Sequence, residues 1–166
     1  MTYDIRDPLT EEIDAIARLW HSGWHDAHAA LVPKELFDHR TLDSFRQRTA
    51  KHLSATRVVG PINGPIGMCM VHDDELYQMY VSDSARGTGV AAALMADCEA
   101  RFIAQNIPLV WLSCAIGNDR AARFYKKCGW TNSGIETYLL ETTSGQFPMD
   151  VWRFEKHLVR GGSGQE

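Results

Sequence analysis

Residues 76 to 114 place a strand, a glycine loop, a long helix and a second strand in unbroken succession, and no other feature constrains the fold as much. Leu76-Tyr77-Gln78-Met79-Tyr80-Val81 has the aromatic and apolar content of a strand. Arg86-Gly87-Thr88-Gly89-Val90-Ala91 follows it. A helix is predicted from about Thr88 to Gln105, with Ala91, Leu94, Met95, Cys98 and Phe102 on its inner face. Pro108 then precedes a strand at Leu109 to Cys114. Strands joined through a helix do not form a hairpin. They lie parallel, as neighbours, with a right-handed connection.

The remaining segments read as antiparallel additions to that unit. Tyr3 to Arg6 is a short strand ended by Asp7-Pro8. Thr10, followed by Glu11 and Glu12, marks a helix start, because acidic first-turn residues complement the helix dipole. Ile13, Ile16, Ala17 and Trp20 give this helix its apolar face, and Gly23 is expected to interrupt or end it. Pro33 opens a second helical region, whose apolar side includes Leu36, Phe37, Leu42, Phe45 and Leu53. Strands are predicted at Thr56 to Val59 and Ile66 to Val71, with turns at Asn63-Gly64-Pro65 and Asp73-Asp74. A last helix spans about Asn118 to Lys127, with Gly129 at its C-terminal cap. Two late strands lie near Thr137 to Leu140 and Asp150 to Phe154. The element order is β-α-α-β-β-β-α-β-α-β-β. This is an α/β fold with a mixed, mostly antiparallel central sheet flanked by helices, and one parallel pair. A single domain is expected over 1–160, with a flexible tail at 161–166.

Composition narrows the partners. The chain is 45% hydrophobic and 23% charged, which suits a packed globule, and its net charge of -4 leaves no basic footprint. Nucleic acid and anionic membrane are therefore not expected as partners. Cys69, Cys98, Cys114 and Cys128 form no C-x-x-C pair and sit in apolar segments, so they read as reduced, buried thiols. No apolar run approaches the roughly 20 residues of a bilayer span, and no signal-like segment opens the sequence. A cytoplasmic location is expected.

The glycine loop has the attributes of a phosphate cradle. Glycines let backbone N–H groups converge, a helix N-terminus adds unbonded N–H groups, and Arg86 adds a cation. Gly87-x-Gly89-x-x-Ala92 also fits a dinucleotide fingerprint. That fingerprint needs its first glycine directly behind the strand, but Ser82 to Arg86 intervene. It also needs an acidic residue at the end of the next strand, where Leu112-Ser113-Cys114 offers none. A nicotinamide-dependent oxidoreductase is thereby disfavoured.

The loop and a later segment together resemble the GCN5-related N-acetyltransferase family. That family's acetyl-CoA loop has the form Arg/Gln-x-x-Gly-x-Gly/Ala, which Arg86 to Ala91 matches. Residues 118 to 130, with Asn118, Ala121, Phe124, Tyr125 and Gly129 in place, are similar to its Asn-x-x-Ala-x-x-Phe-Tyr-x-x-x-Gly-Phe segment. Trp130 replaces the usual Phe. The resemblance is close over roughly residues 60 to 131. It implies an acetyl-CoA co-substrate and an amine acceptor, on a small molecule or a peptide. The backbone of Met79, Tyr80 and Val81 would pair with the pantetheine arm. Arg86, Gly87, Thr88, Gly89, Val90 and Ala91 would hold the pyrophosphate. Asn118 and Tyr125 would reach the cofactor from the later helix. Many relatives dimerise, so a homodimer is compatible with the resemblance.

Acetyl transfer needs a neutral amine and a proton for the departing thiolate. A phenol suits the second task, since its pKa lies just above a thiol's. Tyr125 is the candidate acid, sharing a face with Ala121, Phe124 and Cys128 at helical spacing. Glu75 is the candidate base, acting directly or through water, with His72 and Tyr80 as weaker alternatives. A backbone N–H near Val81 would meet the developing oxyanion. His21, His25 and His28 fall at i, i+4 and i+7, but no acidic pair completes a ligand set, so no metal is expected. Trp20, Trp24, His25 and His28 are assigned instead to the acceptor wall, and Tyr138 to its far side. The alternative to an enzyme is a non-catalytic CoA-binding sensor or interaction module on the same fold.

Overall fold

The computed structural model describes residues 3–159. Strand β1 (Ile5–Arg6) leads through one 3-10 turn at Thr10–Glu12 into α1 (Ile13–His28). Two helices follow, α2 (Lys34–His39) and α3 (Leu42–His52). Next come β2 (Thr56–Val59), β3 (Gly67–His72) and β4 (Glu75–Val81). The crossover unit continues with α4 (Val90–Ala104) and β5 (Leu109–Ala115). Helix α5 (Asp119–Lys127) and the long strands β6 (Thr131–Thr142) and β7 (Gly145–His157) complete it. The expected tail at 161–166 lies outside the described residues.

The strands form one seven-stranded sheet in the order β1-β2-β3-β4-β5-β7-β6. Only β4 and β5 run parallel; the other neighbours are antiparallel. The mixed α/β fold read from the sequence is the one observed. Alternation along β3 divides the interior. Cys69 faces a core with Leu94, Cys98, Phe102, Val110, Leu112 and Phe154 under α4. Met68 and Met70 face the opposite core, where Ile16, Trp20, Leu36 and Phe45 pack. Among the described residues no helix is long and apolar enough to cross a membrane.

Three expectations are corrected. Gly23 does not end α1, which runs through it to His28. A Cβ on Gly23 would lie 2.5 Å from Cδ1 of Tyr80, so the glycine lets α1 approach β4. Close packing, not termination, explains it. The second helical region is two helices, because Arg40 leaves helical geometry and Thr41 caps α3 by accepting from Ser44 N at 3.1 Å. The late strands are much longer than the apolar patterns near Thr137 and Asp150 suggest. They pair with each other from Thr131↔Glu155 to Thr142↔Gly145, and this ladder needs no apolar period.

Glu12 fastens the first elements together. It is fully buried, and both its oxygens take a 2.8 Å bond from Arg6. It also accepts from the N–H of Leu9 at 2.9 Å and of Asn63 at 3.0 Å. These donors hold its carboxyl down at about 2, with the Arg6 bond the largest cause.

Two stability tests follow from this packing. Glu12→Gln leaves the partly exposed Arg6 guanidinium without its charged partner and should cost about 2 kcal/mol in urea unfolding at neutral pH. The Glu12 contribution is complete above the ordinary value of 4.5 and is lost as the pH falls toward about 2, so the wild-type advantage should shrink in that window. Gly23→Ala gains about 1 kcal/mol of helix propensity but incurs about 1–3 kcal/mol of overpacking against Tyr80. A net fall in unfolding free energy is expected, and a stabilised variant would contradict the close approach.

Candidate active site

The parallel strands β4 and β5 are joined at one end only. Glu75 stands opposite Trp111, and the N–H of Trp111 donates to the carbonyl of Asp74 at 3.2 Å. Past that point the ladder stops, while β4 stays bonded to β3 and β5 to β7. The two strands part toward Val81 and Ala115. Ser82 N donates to Ile66 O on the β3 side at 2.9 Å. By strand alternation, Met79 and Val81 turn their backbone N–H and C=O groups to the gap. A cavity of about 690 Å³ fills the cleft, lined by Met79, Tyr80 and Val81 on β4 and by Ser113, Cys114 and Ala115 on β5.

The glycine loop closes one end of this cavity. Gly87 and Gly89 have φ of 75° and 93°, left-handed values that a residue with a Cβ rarely adopts. A Cβ on Gly87 would meet nothing within 4 Å, so the loop is open on that side. Gly89 is the N-cap of α4, and the first N–H groups of that helix have no intrahelical acceptor. Gly87, Gly89, Val90 and Ala91 line the cavity; Thr88 does not, its hydroxyl donating back to Ala85 O. Arg86 also lines it, but its guanidinium is held by Asp26 at 2.7 Å and Asp83 at 2.8 Å. An anion at this loop therefore meets backbone donors ahead of a free cation. Asn118 Oδ1 caps α5 by accepting from Ala121 N at 3.4 Å, which leaves its amide NH₂ for a ligand. An open strand edge leading to a helix N-terminus fits an extended amide chain ending in a pyrophosphate, as in coenzyme A.

Tyr125 lines the middle of the cavity on α5, in contact with the rings of Phe124, Trp130 and Phe154. Its hydroxyl has no hydrogen-bond partner among the described residues, and burial pushes its pKa upward. Glu75 is 4% exposed and not the solvated hairpin charge its position would suggest. Burial pushes its carboxyl up to about 7, against the opposing bond from the Tyr138 hydroxyl, which donates at 2.7 Å. Tyr138 lines the cavity while Glu75 sits behind it. His72 is exposed beside Asp73 and outside the cavity. Tyr80 lines it, with its phenol pushed up by burial.

Trp24 and His28 both line the cavity, stacked with centroids 5.2 Å apart. Burial lowers His28 to about 4, so the ring is neutral at ordinary pH. Its Nδ1 lies 3.0 Å from the carbonyl of Trp24, which only accepts. The proton is thus on Nδ1 and the Nε2 lone pair is free to accept. The rings of His21 and His25 lie 4.3 Å apart, tilted at 51°, and His25 Nε2 lies 2.9 Å from Arg40 O. Trp20 is fully buried in the core and does not line the cavity.

The sequence does not reveal four further lining residues: Arg40, Arg48, Tyr77 and Glu141. Arg48 Nε bonds Glu141 Oε1 at 3.2 Å and its Nη2 donates to Tyr77 Oη at 3.0 Å. Tyr77 in turn donates to the same carboxylate at 2.7 Å. The one available signal is that Arg48 follows Phe45 by three positions and so falls on the buried face of α3. Arg40 lies between two helices and carries no periodic signal.

Comparison with known proteins agrees with this geometry. The family model described as "Acetyltransferase (GNAT) family" matches residues 13–130. An uncharacterised N-acetyltransferase of Mycobacterium tuberculosis is 40% identical over 68 residues, covering 41% of this chain and 44% of that protein. The chain thus matches less than half the length of that curated relative. A GCN5-related N-acetyltransferase from Rhodopseudomonas palustris superposes with a TM-score of 0.73 at 18% identity, over 95% of this chain and 97% of that one. The PaiA N-acetyltransferase of Thermoplasma acidophilum, solved with coenzyme A, gives 0.70 at 14% identity, over 95% and 99%. With the family model spanning most of the sequence and the fold shared along nearly its whole length, the chain belongs to the GNAT acetyltransferase family.

Proposed function

We propose that this protein transfers an acetyl group from acetyl-CoA to a primary amine of a small molecule or peptide, by direct attack within a ternary complex. The observation that carries the reading is the one-ended β4–β5 pairing. It opens a strand edge between a helix N-terminus and Tyr138, which lines the same cleft with the buried Glu75 carboxyl behind it. The thioester of acetyl-CoA supplies an acetyl carbon activated for attack. Met79 and Val81 bind and orient the chain that carries it, through backbone groups facing the gap. The N–H of Val81 is the nearest fixed donor for the developing oxyanion.

Proton traffic falls to two sets of side chains. A C–N bond forms, the C–S bond breaks, and one proton leaves nitrogen while another reaches sulfur. Tyr138 presents its hydroxyl to the cleft and hands its proton to Glu75 as it takes one from the amine, directly or through one water. A carboxyl near 7 suits this, being half ionised at working pH and basic enough to accept. Tyr125 stays protonated, since burial disfavours the phenolate, and its proton passes to the departing thiolate because the same burial disfavours the thiolate charge. His28, neutral with a free Nε2, orients the incoming amine.

Thiol release and product mass, measured over a panel of primary amines with acetyl-CoA, test the reading. Thermal stabilisation by CoA with no acetylated product from any amine would favour the non-catalytic binding module. Tyr125→Phe should lower kcat roughly 100-fold while leaving the stabilisation by acetyl-CoA nearly intact; a full-rate variant would remove Tyr125 from the mechanism. The ionised form of Glu75 is the active one, so kcat/KM should rise with pH through about 7. Tyr138→Phe removes a donor that favours the carboxylate. Its residual activity should show that limb displaced upward by roughly one pH unit, the effect of one hydrogen bond to a charged acceptor.

A further inference from the structure

The acceptor end of the cavity holds more positive charge than the protein itself balances. Arg40 and Arg48 both line it and are only 3% and 4% exposed. The carboxylate beside them, Glu141, is saturated: Arg48, His52 and Tyr77 converge on Oε1, and Lys51 reaches Oε2 from solvent at 2.5 Å. Arg40 touches only the backbone of that residue, donating from Nη1 to Glu141 O at 2.6 Å. Its guanidinium lies 5.8 Å from the Trp24 ring, and it makes no ion pair among the described residues. Arg40 Nε and Arg48 Nη1 are buried with no hydrogen-bond partner. Glu75, the other nearby carboxyl, is engaged by Tyr138, and His28 is neutral.

A buried guanidinium without an anion is a costly arrangement, and Arg40, lining the cavity beside the buried Arg48 with no anion of its own, calls for an anionic ligand there. The field is felt by Arg40 itself, whose pKa is drawn down to about 10 by burial and by the charge of Arg48. With Lys51 outside the lining and solvated, the two lining guanidiniums against Glu141 leave one charge over, which matches a monoanion. The rest of this end is apolar, formed by Val32, Leu36, Leu140 and Met149. We infer that the acceptor is a free amino acid with an apolar side chain, its carboxylate bound by Arg40 and Arg48 and its amine turned toward Tyr138 and His28. The amine's fate rests on the acetyl-transfer reading above; the carboxylate site does not.

Matched pairs test this without presuming turnover. Calorimetry with CoA present would compare N-acetyl-phenylalanine with N-acetyl-phenylalaninamide, and likewise for leucine and methionine. The acid of at least one pair should bind roughly tenfold or more tightly than its amide, the effect of one charge-assisted contact. Arg40→Met should erase that preference, and Arg40→Lys should restore part of it, with the stabilisation by CoA unchanged in both. Should Arg40→Met not fold, the wild-type pairs and Arg40→Lys still decide. Turnover of the free amino acids against their carboxamides should show the same order. The carboxamide has the less basic amine, so intrinsic availability of neutral amine favours the other outcome. Equal affinity of acid and amide, no binding of either, or a preference untouched by Arg40→Met would overturn the inference. An acid preference without thiol release from any amine would refute acetyl transfer and leave the carboxylate site standing.

Discussion

The cleft in this fold depends on two parallel strands that are bonded at Glu75 and Trp111 and nowhere beyond. A sheet closes such a gap unless each side is held elsewhere. Here β4 is committed to β3, with an irregularity at Met70 and Val71 that redirects it, and β5 is committed to β7 over its whole length. The gap therefore persists as a property of the flanking ladders. Its backbone donors and acceptors are positioned by strands held in other ladders. Helices α4 and α5 pack at the mouth, each presenting its N-terminal end to the same cleft. On the function proposed above, recognition of an extended amide chain requires no side-chain chemistry from β4, only its direction and its unpaired edge.

The cleft also shows how one residue type is given two opposite electrostatic roles. Glu141 lines it, and Glu75 sits behind Tyr138. Glu141 is surrounded by Arg48, His52, Lys51 and Tyr77, and these donors hold its carboxyl well below the usual range despite its burial. Glu75 has one neutral donor, Tyr138, and burial wins, raising it to about 7. The first is a permanent anion that fastens α3 to β4 and β6. The second can exchange a proton near neutrality. Neither behaviour belongs to the residue; each follows from the count and charge of its donors.

The sequence reveals these two halves unequally. The cofactor half is local. Strand, glycine turn, helix and strand fall within about forty consecutive positions, and each step has its own chemical signature, from Gly87 and Gly89 to the cap at Asn118. Such a unit is readable because the residues that make it also make each other's surroundings. Gly23 is different. Its meaning depends on Tyr80, a residue 57 positions away on β4, and nothing within α1 distinguishes close approach from helix termination. The lengths of β6 and β7 are hidden for a related reason. Long stretches of both are exposed, so the backbone ladder extends well past the apolar pattern that a sequence displays.

The acceptor half is assembled from distance. Arg40 precedes the carbonyl it donates to by 101 residues, and Arg48 precedes its carboxylate by 93. A buried arginine looks, in sequence, like any solvated one until the strand that covers it is known. Hairpin β6–β7 supplies that cover, together with Tyr138, Leu140, Glu141 and Met149. Its framework of β-ladder bonds tolerates changes of side chain on the cavity face, because the ladder is backbone alone. Helices α1 to α3 offer the same freedom at the opposite wall. The architecture thus separates a cleft bordered by the unpaired backbone edge of β4 from a pocket lined by side chains. Side chains such as Arg40 lie apart from the gap between β4 and β5.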